Sequence, residues 1–375
     1  MSEKHKIALA VAGGGYRATL YSLGALWRLN EFGLLSKLSV ITGVSGGSIL
    51  TGYLAMRWDD LIFDESSVST NFQSIIAKPI QKFCSKSIDM KSLVSGIFSW
   101  KETVGDKLAK AYDKGLFHGA NLQSIPNTAP EFIFYGTNLQ TGASVKIGKD
   151  ALSDYKIGRY PSPDISMAQA VGISSAFPPM LSPVTMRLDP EKWIKSPLDG
   201  MSEFYDKLEL RKKMLLADGG LYDNLGLEAV WKSKKYSHVI SCDAGAPFKV
   251  HHKQKKDWYH QLMRMTSIMT DQQRALRKRI LIERYIDGKF GGAYFGISTK
   301  IADYELKDSM TTDSSVSSKL KNLRSRLNTF TEEEQGHLIN WGYALTDTAI
   351  RKYSPEFLAE GRNVQGNWPI SKYQL

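Results

Sequence analysis

The sequence predicts a three-layer α/β/α fold with a mainly parallel central sheet and an inserted helical cap. Three observations carry this. The apolar run Ile7–Ala12 stops at Gly13-Gly14-Gly15, as a buried strand does at a glycine turn. Leu20, Leu23, Leu26 and Leu29 then recur at helical spacing up to Gly33, and Ser39–Gly43 reads as the second strand. Strand, glycine loop, helix and strand in this order form the βαβ unit of a parallel sheet. With 375 residues, 42% of them hydrophobic, the chain is long enough for one large core, and it is expected to form a single domain over residues 1–375.

The remaining elements follow in order. Ser48–Trp58 suits a buried helix. From Asp59 to about Pro130 the pattern is helical and irregular, with Phe83, Phe98, Trp100 and Phe117 but no strand alternation, so 59–130 is expected to be a helical insertion or lid. Phe132–Tyr135 and Ser144–Ile147 read as paired strands, Ile165–Ser175 as a helix halted by Phe177-Pro178-Pro179, and Met214–Ala217 and His238–Cys242 as further core strands. Residues 249–350 read as largely helical. Within them, Lys253–Tyr285 forms one or two amphipathic helices, Met310–Ser318 is a Ser/Thr/Asp loop, and Thr331-Glu-Glu-Glu334 is a capping box opening a helix to about Tyr353.

Composition narrows the partners. Lys and Arg number 49 against 38 acids, a net charge of +11 that favours phosphate-rich surfaces. Between Lys249 and Arg284 ten Lys/Arg face only Asp257, Asp271 and Glu283, so an anionic partner should meet the protein there. Cys84 and Cys242, the two cysteines, offer neither a CxxC pair nor a disulfide framework, which points to a reducing compartment. No run approaches the ~18 apolar residues of a spanning helix. The start imitates a short signal peptide, but its apolar run is short, Glu3 sits in the would-be basic region, and cleavage near Ala12 would discard the first strand; export is not expected.

Gly43-Val44-Ser45-Gly46-Gly47 matches G-x-S-x-G after a predicted strand and before a predicted helix, the context a nucleophile elbow requires. The glycines make room for a sharp turn, and the helix start presents amides to a developing oxyanion. A serine needs a base, yet the seven histidines stand in no motif. Asp218 ends an apolar strand and precedes Gly219-Gly220, which places its carboxylate at the carboxyl edge of the sheet beside Ser45. Read alone, Asp-Gly-Gly is more simply a turn. The glycines 13–15 could offer N–H groups to a phosphate or an oxyanion, or serve only tight strand–helix packing.

In order and spacing, Gly13-Gly14-Gly15-Tyr16-Arg17, Gly43-Val44-Ser45-Gly46-Gly47 and Asp218-Gly219-Gly220 resemble the patatin-like phospholipases. Further echoes are Gly172-Ile-Ser-Ser-Ala-Phe-Pro-Pro179, Tyr222-Asp223-Asn224 and Asn340-Trp341-Gly342-Tyr343. The resemblance covers most of the chain. It implies a lipid acyl hydrolase in which Ser45 is the nucleophile, Asp218 its general base without histidine, and Gly13, Gly14 and Gly15 the oxyanion hole. Ala12 stands where many members have Asp, and Ala18 where many have Gly; neither change removes a catalytic atom. Arg17 is expected to anchor the loop through a carboxylate rather than approach a substrate phosphate, and Asp223 and Asn224 to hold the loop after Asp218, with Asp243 a competing carboxylate.

No H-E-x-x-H or EF-hand spacing occurs, so no metal and no cofactor is expected, and the site should be calcium-independent. The implied substrate is phospholipid or another acyl ester. The implied setting is cytoplasmic, with peripheral contact at the inner membrane surface through an anionic bilayer facing 249–284 and Met263, Met265, Ile268 and Met269 meeting lipid. Nucleic acid is not the expected partner. Three other readings compete. A nucleotide-binding loop lacks the acid at the end of the second strand; a nucleic-acid surface rests on the basic helices with Trp258 and Tyr259; and an α/β-hydrolase esterase would use His260 or His337 after Ser45 and Asp218.

Overall fold

The protein is described by a computed structural model over residues 6–88, 103–232, 235–358 and 365–375. The strands β1 (Ile7–Val11), β2 (Leu38–Gly43), β3 (Glu131–Asn138), β4 (Ser144–Ile147), β5 (Ala151–Asp154), β6 (Gly158–Pro161), β7 (Val184–Arg187), β8 (Lys213–Asp218), β9 (His238–Asp243) and β10 (Gly291–Gly296) join in one sheet. The helices are α1 (Gly15–Glu31), α2 (Gly46–Met56), α3 (Lys78–Cys84), α4 (Val104–Tyr112), α5 (Met167–Ser174), α6 (Leu208–Lys212), α7 (Gly220–Asp223), α8 (Trp258–Ile286), α9 (Ser315–Leu320) and α10 (Glu332–Tyr353).

The sheet order is β10-β9-β1-β2-β3-β4-β5-β6, and its first five strands all run parallel. Beyond β3 the sheet continues as an antiparallel meander through β4, β5 and β6. Side chains alternate across the sheet with the period of two that a pleat imposes. Leu9, Val11 and Ile41 join the core beneath α1, α2, α5 and α10, whereas Ala8, Ala10, Ala12 and Val40 face a second core with Leu225, Leu227, Val230 and Leu281 of α8. Helical cover on both faces gives the three layers.

Several boundaries differ from expectation for identifiable reasons. Strand β10 lies inside the part read as helical; its Gly291-Gly-Ala-Tyr-Phe-Gly sequence shows too little alternation to announce a strand. The loop expected over 310–318 becomes α9 at Ser315, because Ser314 accepts the Ser317 amide at 3.0 Å and so caps a helix. The capping box at Thr331 forms as read: its hydroxyl accepts the Glu334 amide at 3.2 Å, and Glu334 accepts the Thr331 amide at 2.9 Å. In the 59–130 stretch, Ile76, Ile80, Phe83, Leu108, Tyr112 and Phe117 are buried in the larger core, so its described flanks belong to the body of the domain. Phe98 and Trp100 lie outside the described residues, as does the extreme start with Glu3. Among the described residues no helix is long and apolar enough to cross a membrane.

Candidate active site

β2 delivers Ser45 into a backbone conformation with φ 50° and ψ −121°, a left-handed φ that a residue bearing Cβ adopts at a cost of about 1–3 kcal/mol. Its neighbours explain why the turn persists. A Cβ on Gly46 would stand 2.0 Å from the Gly15 carbonyl oxygen, and one on Gly47 would stand 2.6 Å from that of Val11, so only glycines let α2 start against β1 and the glycine loop. Gly43, the last residue of β2, pairs with Val11 and Phe134. The Ser45 amide donates to both the carbonyl and the hydroxyl oxygen of Ser174, each at 3.1 Å.

Asp218 reaches Ser45 by a route unlike the one expected. Strand β8 is antiparallel to β3, so Asp218 does not project from the carboxyl edge of a parallel strand. Instead β2 and β8 lie on the same side of β3 and meet end to end. Gly43 pairs with Phe134 and Asp218 with Gly136, two residues further along β3, a separation of roughly 7 Å. The two ends are also tied to one strap, since the Asp218 amide donates to the Ala176 carbonyl at 2.9 Å, two residues beyond Ser174. The 174–176 segment thus holds both residues; the sequence displayed this stretch as a family echo but carried no sign of its task.

Asp218 is 2% exposed, its carboxylate accepts the Gly220 amide at 2.7 Å, and it lines the same cavity as Ser45. Burial pushes its pKa up to about 7, with the Gly220 amide and the Ser45 hydroxyl opposing the rise. Gly219 packs so closely that a Cβ there would meet the Tyr135 carbonyl oxygen at 2.5 Å.

The glycine loop lies against this pair. Gly13 donates its amide to the Asn224 carbonyl at 3.1 Å, so that N–H is already committed. Gly14 (φ 145°) and Gly15 (φ 58°) have no hydrogen-bond acceptor for their amides among the described residues. Arg17 is buried and donates to the carbonyls of Ala244 and Leu323, at 2.9 and 2.7 Å; it anchors the loop through carbonyl oxygens, not the expected carboxylate. Burial lowers its pKa to about 10, with Asp243 opposing. Asp223 accepts the amides of Leu225, Gly226 and Glu228 and so braces the turn after Asp218. Asp243 receives the Tyr294 hydroxyl and the Gly245 amide, each at 2.7 Å, which occupies both its oxygens.

A cavity of about 710 Å³ joins Gly13–Gly15, Ser45 and Asp218, with Phe177 at one side and α8 as a roof. His260 lines this cavity, its Nδ1 2.8 Å from Asp257; His337 does not, and packs on the Tyr373 ring. Among the described residues no three His, Cys, Asp or Glu side chains gather as a metal site.

Fold and site define a class: a three-layer α/β protein with a serine on a strained strand–helix elbow and a buried aspartate lining the same cavity. Residues 9–231 match the patatin-like phospholipase family, and the chain belongs to it. It is 25% identical over 179 residues to the yeast (Saccharomyces cerevisiae) protein named "Putative meiotic phospholipase SPO1", a match covering 42% of this chain and 28% of that one. Human GIVD cytosolic phospholipase A2 superimposes with a TM-score of 0.51 at 12% identity, covering 95% of this chain and 60% of the human one. Its complex with methyl gamma-linolenyl fluorophosphonate gives 0.50 at 13% identity, covering 92% and 58%. These solved structures are alike in fold, and the chain spans 28% of the yeast relative's length and 60% and 58% of the two human chains.

Proposed function

We propose that this protein is a lipid acyl hydrolase of the phospholipase A type that works through a Ser45–Asp218 dyad. The observation that carries the reading is that one strap fixes Ser45 and buried Asp218 in a shared cavity, where burial raises the carboxyl pKa to about 7, the value at which a general base is most effective at neutral pH. Ser45 Oγ attacks the ester carbonyl carbon and its proton passes to Asp218. The carbonyl oxygen becomes an oxyanion facing the free amides of Gly14 and Gly15, while Gly13 holds the loop to Asn224. Collapse breaks the ester C–O bond, and Asp218 returns the proton to the leaving alcohol. Water then gives a proton to Asp218, attacks the acyl-serine, and the fatty acid departs as Ser45 regains its proton.

Family membership supports phospholipid as the substrate class. The reading is tested by mass spectrometry of products from mixed phospholipid vesicles incubated with wild type, Ser45→Ala and His260→Ala. Free fatty acid and lysophospholipid are expected from wild type and His260→Ala and not from Ser45→Ala. Product from Ser45→Ala overturns the nucleophile, and loss in His260→Ala restores a histidine base.

A further inference from the structure

Helix α8 is the roof of the cavity, and its two sides differ sharply. At about 100° per residue, His260, Met263, Ser267, Thr270, Asp271 and Arg274 share the stripe that lines the cavity. The opposite stripe, Trp258, Leu262, Met265, Met269 and Leu276, falls within about 60° of arc. These five side chains are 77%, 47%, 58%, 68% and 52% exposed. So ordered an apolar stripe, rather than scattered single residues, marks a contact surface. Met263 turns to the cavity, unlike the lipid-facing role expected from sequence. Leading into the helix, Lys249, Lys253, Lys255 and Lys256 are all exposed, the first three at the rim of the cavity, and none makes an ion pair among the described residues. The one acid beside them, Asp257, caps α8 by accepting the His260 amide at 3.1 Å.

We infer that the outer stripe of α8, with the lysines before it, docks on an anionic phospholipid surface and so sets the cavity roof at the bilayer. Charge decides among occupants. A second copy seated on the same patch would bring two exposed lysine clusters together in a chain already at +11. A nucleic acid would satisfy the lysines and leave the methionine and leucine stripe in water. An anionic bilayer satisfies both: lysines reach phosphates while Trp258, Leu262, Met265 and Met269 enter the headgroup–acyl boundary. The inference rests on the acyl-hydrolase reading for the substrate's place below the roof; the docking itself does not need it.

The test is co-sedimentation of the full chain with phosphatidylcholine vesicles and with phosphatidylglycerol-rich ones, for wild type and Met265→Ser/Met269→Ser, beside hydrolysis of a soluble short-chain ester. Wild type is expected to bind the anionic vesicles selectively and to release as salt rises. The double variant should bind at least about tenfold more weakly while hydrolysing the soluble ester as wild type does, which shows that it is folded. Equal vesicle binding by both proteins overturns the inference. So does a dimer that only the double variant loses, or a tighter, salt-sensitive association with duplex DNA than with vesicles. Absence of soluble-ester hydrolysis in wild type counts against the Ser45–Asp218 reading alone and leaves the binding comparison to stand, with circular dichroism then reporting the fold of the variant.

Discussion

Asp218→Asn is expected to lower kcat/KM for ester hydrolysis by about 10⁴-fold or more while raising the melting temperature above that of wild type at pH 8. Asparagine keeps the shape and can still accept the Gly220 amide, but it cannot take the Ser45 proton. Stability moves the other way because the wild-type charge is buried. The carboxyl, near 3.9 in an unfolded chain, stands near 7 in the fold, raised by burial. Between these values the folded state holds the proton more tightly than the unfolded one. Stability therefore falls as pH rises through that window, at up to about 1.4 kcal/mol per pH unit, and the full penalty is present above about 7. Asparagine escapes it, so the two melting temperatures should converge near pH 4. Under the proposed mechanism the same pKa governs the rate: with ionised Asp218 as the base, wild-type kcat/KM should fall about tenfold per pH unit below about 7. Circular dichroism melts and a pH–rate profile check both arms. An Asp218→Asn variant that melts lower than wild type at pH 8 would mark the aspartate as a structural anchor instead.

Much of this site was legible because its elements are local. Ser45 stands where a short apolar run, flanking glycines and a helical pattern meet within a few residues, and each is required by the close approach of α2 to β1 and the glycine loop. The capping box at Thr331 is equally local. Strand direction is not, because an apolar run such as Met214–Ala217 reads the same either way; the head-on meeting of β8 with β2 depends on pairing to β3. Nor do three consecutive glycines say which amide is spent inside the protein, since the Asn224 carbonyl that takes the Gly13 N–H lies far away in sequence. Arg17 was legible as an anchor, but its partners are main-chain carbonyls, which every residue possesses and no motif distinguishes. The 174–176 strap is hidden for the same reason, with carbonyls of Ser174 and Ala176 fixing the amides of Ser45 and Asp218.

Gly342→Ala is expected to cost the fold about 3 kcal/mol or more, although the residue is far from Ser45 in sequence and carries no chemistry. Helices α1 and α10 cross with their backbones in contact. A Cβ on Gly342 would lie 1.9 Å from the Tyr21 carbonyl oxygen, and one on Gly24 would lie 1.8 Å from that of Ile339. Unstrained contact needs about 3.5 Å, and backbone cannot swing aside as a side chain can. The helices must therefore part by more than 1 Å or so, and a gap of that size forfeits a quarter to a half of each dispersion contact across the interface. Leu20, Leu23, Leu338 and Leu345, all fully buried in the same core, would lose packing together. Either substitution forces the same parting, so Gly24→Ala/Gly342→Ala should cost clearly less than the sum of the single changes. Urea denaturation reads this as a fall in midpoint with the slope unchanged. The crossing also bears on the site, because α1 begins at Gly15 and carries the glycine loop on its first turn. Hydrolysis by folded Gly342→Ala should accordingly fall with KM for a short ester little changed, the loss lying in the oxyanion contacts made after binding. Additive energies in the double variant, or full activity with α1 displaced, would separate this crossing from the loop it is argued to position.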